Sequence, residues 1–358
     1  MASSVLHIES IVKGAAQQAG FDLAGIAPAT DSPELQCFPE WIAAGYAGDM
    51  KYMEARDEQG TLKRASLSRV APWARSVIVC AINYNTDHPY STETQDRSRG
   101  WISRYAWSHE DYHEAVLRRV KQVEDAIHEA VGESEPQLIT RSYVDTGPIV
   151  ERVFAKYAGV GWIGKNTCII NQKIGSWLFL GVILTSLEIT PNVPAPDRCG
   201  TCTRCIEACP TNAILAPYKL DSNRCISYLT IEKRGSIPEE QRAGMGRHVF
   251  GCDICQDVCP WNRKAPATTA PEFSPREALV NPALDWLAEM SSEEFRDTFR
   301  GSPIRRAKRS GLRRNAVIAI GNSGKREFLP LLEKLVLDED LSLAESARWA
   351  LARLRNPL

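Results

Sequence analysis

The chain has no long hydrophobic run. Its longest uncharged apolar stretch, residues 177–187, falls far short of the roughly 20 residues a membrane-spanning helix needs, so membrane insertion is not expected. The first 50 residues contain no arginine, and Glu9, Lys13 and Asp22 interrupt the apolar pattern there. A secretory or twin-arginine signal is therefore not expected, and a cytoplasmic protein is. Net charge is equally scarce. With 43 Lys+Arg against 44 Asp+Glu the formal charge is -1, so no overall field draws in nucleic acid or an anionic membrane, and a polyanionic partner needs a local basic patch. Nucleotide signatures are missing too. No G-x-x-x-x-G-K-[ST] occurs, and the glycine-rich GVGWIGKN at 159–166 neither opens a helix after a strand nor ends in Ser or Thr.

What is present is an ordinary globular composition, 44% hydrophobic and 24% charged over 358 residues, long enough for two or three domains. Residues 4–20 read as an amphipathic helix, and the β-branched SVIVCAINY at 76–84 as a buried strand. The polar stretch 85–100 reads as a surface loop. Val116, Val120, Val123 and Ile127 recur three or four apart and predict a helix over 111–131. Strands are expected at 138–144, 167–171 and 177–187, with Pro148 at a helix start. This mixture indicates an α+β domain over 1–190. ITPNVPAPDRCG, with three prolines, marks a boundary, and 263–275 is a second loose stretch. From Leu312 onward come three short amphipathic helices. Asp340 ahead of an Ala/Leu-patterned helix suggests a HEAT-like helical unit, too small to stand as a solenoid without packing on the rest of the chain. The expected division is 1–190, 191–265 and 266–358.

Eleven cysteines are too many for chance in a reducing compartment, and eight lie between Cys199 and Cys259. Cys199, Cys202, Cys205 and Cys209 precede Pro210 with the spacing C-x2-C-x2-C-x3-C-P of ferredoxins, in which three thiolates hold one 4Fe-4S cluster and the fourth crosses to a second. Cys252, Cys255 and Cys259 before Pro260 form a second run one cysteine short, and Cys225 supplies the missing ligand. The crossing rule gives one cluster to Cys199, Cys202, Cys205 and Cys259, and the other to Cys209, Cys225, Cys252 and Cys255. Paired zinc sites also use C-x2-C, but crossed C-x3-C-P endings favour clusters. Cys37, Cys80 and Cys168 are expected to be buried structural thiols. Two clusters conduct electrons; the N-terminal domain must supply the reducing chemistry.

His109-Glu110-Asp111-Tyr112-His113 formally spells the zinc-protease motif H-E-x-x-H, and is read instead as a solvated helix start. The D-x-H-x-x-G pattern of histidine-ligated cobalamin is absent: its nearest match, from Asp111, ends in Val116.

YVDTG at 143–147, AGVGWIGKN at 158–166, GSWLFLGVILT at 175–185, CISYLT at 225–230 and GCDICQDVCPWN at 251–262, with the cysteine runs, resemble the epoxyqueuosine reductases. The resemblance runs in order from Arg64 to the C-terminus. It implies a nitroreductase-like domain holding base-off cobalamin, a ferredoxin-like two-cluster module, and reduction of epoxyqueuosine to queuosine at the wobble position of tRNA, the last step of queuosine biosynthesis. It implies that Asp145 is the proton donor, with desolvation beside the corrin raising its pKa; from the residues alone, D-T-G-P equally suits a helix N-cap ahead of Pro148. It further implies that Arg64, Lys165, Asn166, Ile169, Leu180 and Ser227 lie at the cobalamin, with Ser103 where some members carry cysteine. Ile169 and Leu180 read equally well as ordinary core.

The tRNA partner fits a local basic run. Residues 301–326 contain Arg305, Arg306, Lys308, Arg309, Arg313, Arg314, Lys325 and Arg326 with no acidic neighbour, and Lys233 and Arg234 follow Cys225. A monomer and an unidentified electron donor complete the expectation. The rival readings are a reductive dehalogenase-like enzyme acting on a small molecule, and a non-enzymatic two-cluster electron carrier.

Overall fold

The structure is a computed structural model and describes residues 2–356. The chain is organised as two compact units, each assembled from separate stretches. The first takes Met1–Asn85, Tyr112–Cys202 and Pro260–Glu272; the second takes Thr86–Asp111, Thr203–Cys259 and Phe273–Leu358. No helix among the described residues is long and apolar enough to cross a membrane.

The first unit is a four-stranded antiparallel sheet between helical layers. Helix α1 (Ala2–Gln18) leads into strand β1 (Leu23–Pro28), then β2 (Ser76–Asn83), helix α2 (Tyr112–Val131), β3 (Thr140–Tyr143), helix α3 (Glu151–Tyr157) and β4 (Leu178–Thr185). The strand order is β1-β2-β4-β3, with Cys80 opposite Gly181 and Tyr143 opposite Val182. Every residue of β2 is buried, which explains its unbroken apolar sequence: a strand covered on both faces has no reason to alternate. Val77, Val79 and Ala81 face Val153 and Phe154 of α3 together with Val182 and Leu184. On the opposite face α2 lies directly on the sheet, using the valines whose spacing predicted it; Val116, Val120, Val123 and Ile127 are fully buried. Gly181 permits that approach, because a Cβ there would stand 2.4 Å from Val120 Cγ2. Gly181→Ala is therefore expected to destabilise the fold by about 1–3 kcal/mol, the usual cost of overpacking, read as a lower denaturant midpoint at unchanged slope.

The second unit redraws the expected division at 190 and 265. Residues 86–111, expected as part of the N-terminal domain, join it because Trp101, Ile102 and Trp107 share one core with Val249, Phe250 and the C-terminal helices. Trp101–Ile102 pairs in parallel with His248–Phe250. Helices α4 (Ile226–Ile231), α5 (Lys308–Ser323), α6 (Leu329–Leu335) and α7 (Leu341–Arg355) follow. Asp340 caps α7 as its sequence suggests, accepting from the Ser342 and Leu343 N–H groups. The middle of α5 is buried on every side, from Gly311 to Gly321. Its polar residues serve backbone carbonyls: Arg314 donates to Leu229, Lys233 and Gly235, Asn315 to Thr230 and Val249, and Asn322 to Arg242 and Gly246.

Candidate functional site

Asp145 follows β3 at the point where the chain turns back towards α3. The Thr146 N–H donates to the Val144 carbonyl at 2.7 Å, and Asp145 between them has φ +56°. This is a tight three-residue turn with a left-handed centre, a strained geometry for a residue carrying a side chain. Four contacts hold it. The Tyr112 hydroxyl donates to Asp145 Oδ2 at 2.8 Å, and His113 Nε2 stands 3.6 Å from the same oxygen. The Asp145 N–H donates to Glu151 Oε1 at 2.7 Å, and Arg64 Nη2 donates to the Gly147 carbonyl at 2.9 Å. The Tyr112 ring is fixed in turn by parallel stacking on Phe179, 4.4 Å between centroids.

These contacts remove the N-cap reading of D-T-G-P. Helix α3 begins at Glu151, three residues beyond Pro148, and its N-cap is Val150, without a side-chain bond. Asp145 caps nothing; its carboxylate faces Tyr112 and His113. Nor is His113 a solvated helix residue, since it is half-buried against Asp145 and stacks on Tyr112 at 4.0 Å. His109 is exposed.

The electrostatics correct the expectation for Asp145. Crowding by protein atoms would raise its pKa, but the bonds from His113 and Tyr112 and the nearby charges of His113 and Arg152 outweigh that and hold it below the usual carboxylate range. The side chain remains 65% exposed, so water helps to keep it ionised. The carboxyl that burial does push up, to about 8, is that of Glu151, with the negative charge of Asp145 reinforcing the shift. The two carboxyls are thus pushed in opposite directions, Asp145 down and Glu151 up.

The other residues placed at the cobalamin by resemblance divide between the units. Arg64, Lys165, Asn166, Ile169 and Leu180 belong to the first. Ile169 is buried in the core facing α3, whereas Leu180, with Ile163 and Leu178, forms its half-exposed apolar edge. Asn166 is buried in the turn between the short strands Trp162–Ile163 and Ile169–Ile170, its Oδ1 accepting from the Cys168 N–H. Lys165 Nζ donates to the carbonyls of Gly200 and Cys202 at 2.6 and 2.9 Å, fixing the loop of the first cysteines. A half-exposed apolar edge of this kind suits a flat, apolar macrocycle. In the second unit, Ser103 is buried and donates to Asp253, which also accepts from Trp101 Nε1 and the Arg104 N–H. Ser227 bonds the Cys225 thiol through its N–H and its side chain.

Within the second unit, the four-residue helices carrying Cys205 and Cys255 touch one another. Burial pushes the thiols of Cys225 and Cys252 up, and neighbouring cysteines add to it: Cys209 acts on both, and Cys225 on Cys252. Such crowded sulfurs repel as bare thiolates, and iron bound among them would reverse that repulsion. Backbone N–H groups already point at the sulfurs, from Ala213 to Cys209 at 3.3 Å and from Ile254 to Cys252. The residues present fit a thiolate-bound cluster. Among the described residues, no group of three or more His, Cys, Asp or Glu is arranged to hold a single metal ion. Of the remaining cysteines, Cys80 is buried with its thiol pushed up to about 12, but Cys37 is exposed rather than buried, and Cys168 is intermediate.

The basic run does not stay together as a surface patch. Arg305, Arg306 and Lys308 are exposed and Arg309 is half-buried, its Nε donating to the Met290 carbonyl. Arg313 and Arg314 are buried: Arg313 pairs with Asp338 at 2.9 Å and donates to Ala288, and Arg314 serves three carbonyls. Both are corrections, because the helical positions that look cationic in the sequence face into the unit. Arg234 is exposed and donates to the Arg306 carbonyl, and Arg306 pairs with Glu232; Lys233 is half-buried.

An acid in the turn after a sheet strand and two cysteine runs at ferredoxin spacing are the features of an iron–sulfur oxidoreductase. Residues 198–262 match a family profile described as a 4Fe-4S double cluster binding domain, and residues 64–146 match one described as Epoxyqueuosine reductase QueG, DUF1730. An epoxyqueuosine reductase of Synechocystis is 43% identical over 82% of this chain and 98% of its own length. That of Xanthomonas campestris is 37% identical over 96% of this chain and 95% of its own length. An epoxyqueuosine reductase crystallised with an epoxyqueuosine-modified tRNA-Tyr stem loop superposes with a TM-score of 0.86 at 30% identity, covering 99% of this chain and 92% of that one. The chain belongs to the epoxyqueuosine reductase family.

Proposed function

We propose that this protein reduces epoxyqueuosine in tRNA to queuosine, using cobalamin reduced through two 4Fe-4S clusters, with Asp145 as the proton donor. The observation that carries the reading is the Asp145 turn: a strained acid gripped by Tyr112 and His113, in a chain that matches the tRNA-bound relative nearly end to end. Removing an epoxide oxygen to leave an alkene consumes two electrons and two protons and releases water. Cobalamin, when bound, supplies a low-valent metal that delivers electrons to the substrate carbon. Arg64, Lys165, Asn166, Ile169, Leu180 and Ser227 would hold it, with Ser103 nearby. Cys199, Cys202, Cys205 and Cys259 would carry one cluster, and Cys209, Cys225, Cys252 and Cys255 the other.

The chain's own part in the chemistry is proton control. Asp145 is open to water in the free protein, and a ligand closing over it strips that water and drives its pKa upward, towards a value useful for donation. Tyr112 and His113 keep the carboxyl aimed while its charge changes. Anaerobic incubation with epoxyqueuosine-bearing tRNA, cobalamin and a chemical reductant is expected to yield queuosine by nucleoside mass analysis. Absence of product from iron-replete, cobalamin-bound protein would refute the reading.

Arg305, Arg306 and Lys308, with Lys233, Arg234 and Arg309 beside them, are the residues we assign to tRNA phosphates. Arg305→Glu with Lys308→Glu is expected to raise the apparent KM for tRNA while iron and cobalamin contents stay constant. The salt dependence of tRNA affinity should also become shallower, by about 0.7–0.9 in log–log slope per lost contact. An unchanged slope would make this run a solvated surface only.

A further inference from the structure

We propose that Glu151 is the positioning residue of the proton-donor turn: its carboxyl clasps the Asp145 N–H and holds the acid in its strained conformation. The proposal rests on the reading of Asp145 as the donor, and deepens it. The turn is closed by the Thr146 N–H on Val144, a bond that leaves the Asp145 N–H outside it, and the 2.7 Å bond to Glu151 Oε1 supplies the acceptor. Glu151 is well placed to act as an anchor. It opens α3, whose next residues but one, Val153, Phe154 and Ala155, are buried in the sheet core, so the clasp is tied to the packed core of the unit. The turn itself has a left-handed centre at a non-glycine residue and needs such external support.

The charged and titratable groups facing Glu151 are Asp145, His113 from α2 and Arg152 from α3, while Tyr112 faces the Asp145 carboxylate. With its proton retained up to about pH 8, Glu151 is a neutral acceptor that does not repel ionised Asp145. Above that pH a second negative charge appears beside Asp145, the turn loosens and the reaction slows.

The test pairs Glu151→Ala, which removes the acceptor, with Glu151→Gln, which keeps an oxygen there but cannot ionise. For Glu151→Ala the Asp145 amide should lose its protection from hydrogen exchange. Its kcat should fall by about 100-fold, the scale of a misplaced catalytic group, with the KM for tRNA and cobalamin binding nearly unchanged. Glu151→Gln should keep amide protection and most of kcat at pH 7, and should lack the decline of rate above pH 8 seen in the native protein. A protected amide and native kcat in Glu151→Ala would overturn the proposal, as would Glu151→Gln as impaired as Glu151→Ala. If the alanine variant does not fold, a decline above pH 8 that persists in Glu151→Gln overturns it. An inactive Asp145→Asn beside a fully active Glu151→Ala refutes the clasp alone. An active Asp145→Asn refutes the donor reading, and the amide-exchange measurement then still decides the clasp.

Discussion

Asparagine at position 145 should leave a folded, fully loaded enzyme that no longer turns over. The backbone there lies in the left-handed region, which asparagine tolerates as well as aspartate does, so the turn survives. The side-chain oxygen of the substituted amide can still accept from the Tyr112 hydroxyl, and the backbone N–H at this position can still donate to Glu151. What disappears is an exchangeable acid proton. General acid catalysis contributes about 10²–10⁴-fold, and Asp145→Asn is expected to lose that much in kcat with iron content and the cobalamin spectrum unaltered. Conversion within a few-fold of native would remove Asp145 from the chemistry, leaving the Tyr112 and His113 contacts as structural. The comparison is informative because Asp145 is ionised in the free protein. Its donating form must be created when cofactor and substrate exclude water from an otherwise open side chain.

The second large effect concerns Cys225. It is the one proposed ligand outside both cysteine runs, and it caps α4 at a point where Ser227 and Tyr228 N–H groups converge on its sulfur. Cys225→Ser replaces a soft thiolate with a poor iron ligand. Anaerobically reconstituted protein is expected to drop from about eight iron atoms per chain to about four, with loss of turnover because the relay is broken. The intact protein should contain iron and no stoichiometric zinc. Eight irons retained in Cys225→Ser would assign the eighth ligand elsewhere, and a colourless, zinc-filled, active native protein would end the cluster reading altogether.

How much of this was legible in the sequence depended on whether the relevant interaction was local. The cysteine runs are local, and the double-cluster domain they mark was legible in their spacing. The valines of α2, the continuous apolar β2 and the Asp340 cap are local as well, and each was legible for that reason. Tyr112, His113 and Glu151 were missed as partners of Asp145. Tyr112 and His113 lie some thirty residues away on another element, and H-E-x-x-H drew attention to the wrong property of His113. Glu151 sits at a helix start that the proline suggested three residues too early. The basic run failed differently. Arginine in a helix reads as surface unless carbonyls elsewhere in the fold wait to be served, and those at Leu229, Lys233 and Gly235 cannot be seen from residues 301–326. The grouping of residues 86–111 with the second unit was not legible because 85–100 reads as a polar surface loop, while Trp101 and Trp107 just beyond that loop are fully buried.

The side chains of α5 that reach out to backbone oxygens also set how far the molecule can be dissected. Arg314, Asn315 and Asn322 together satisfy seven carbonyls spread over residues 229–249, including those of Lys233 and Gly235 on either side of Arg234. Each buried carbonyl left without a donor costs about 1–3 kcal/mol, against a total stability of only about 5–15 kcal/mol for a typical domain. Proteolysis or truncation that removes the last three helices would therefore not release a working iron–sulfur module from a dispensable appendage. It would pull the internal strut from the loop that follows Cys225, and the cysteine-bearing segment would lose its shape with it.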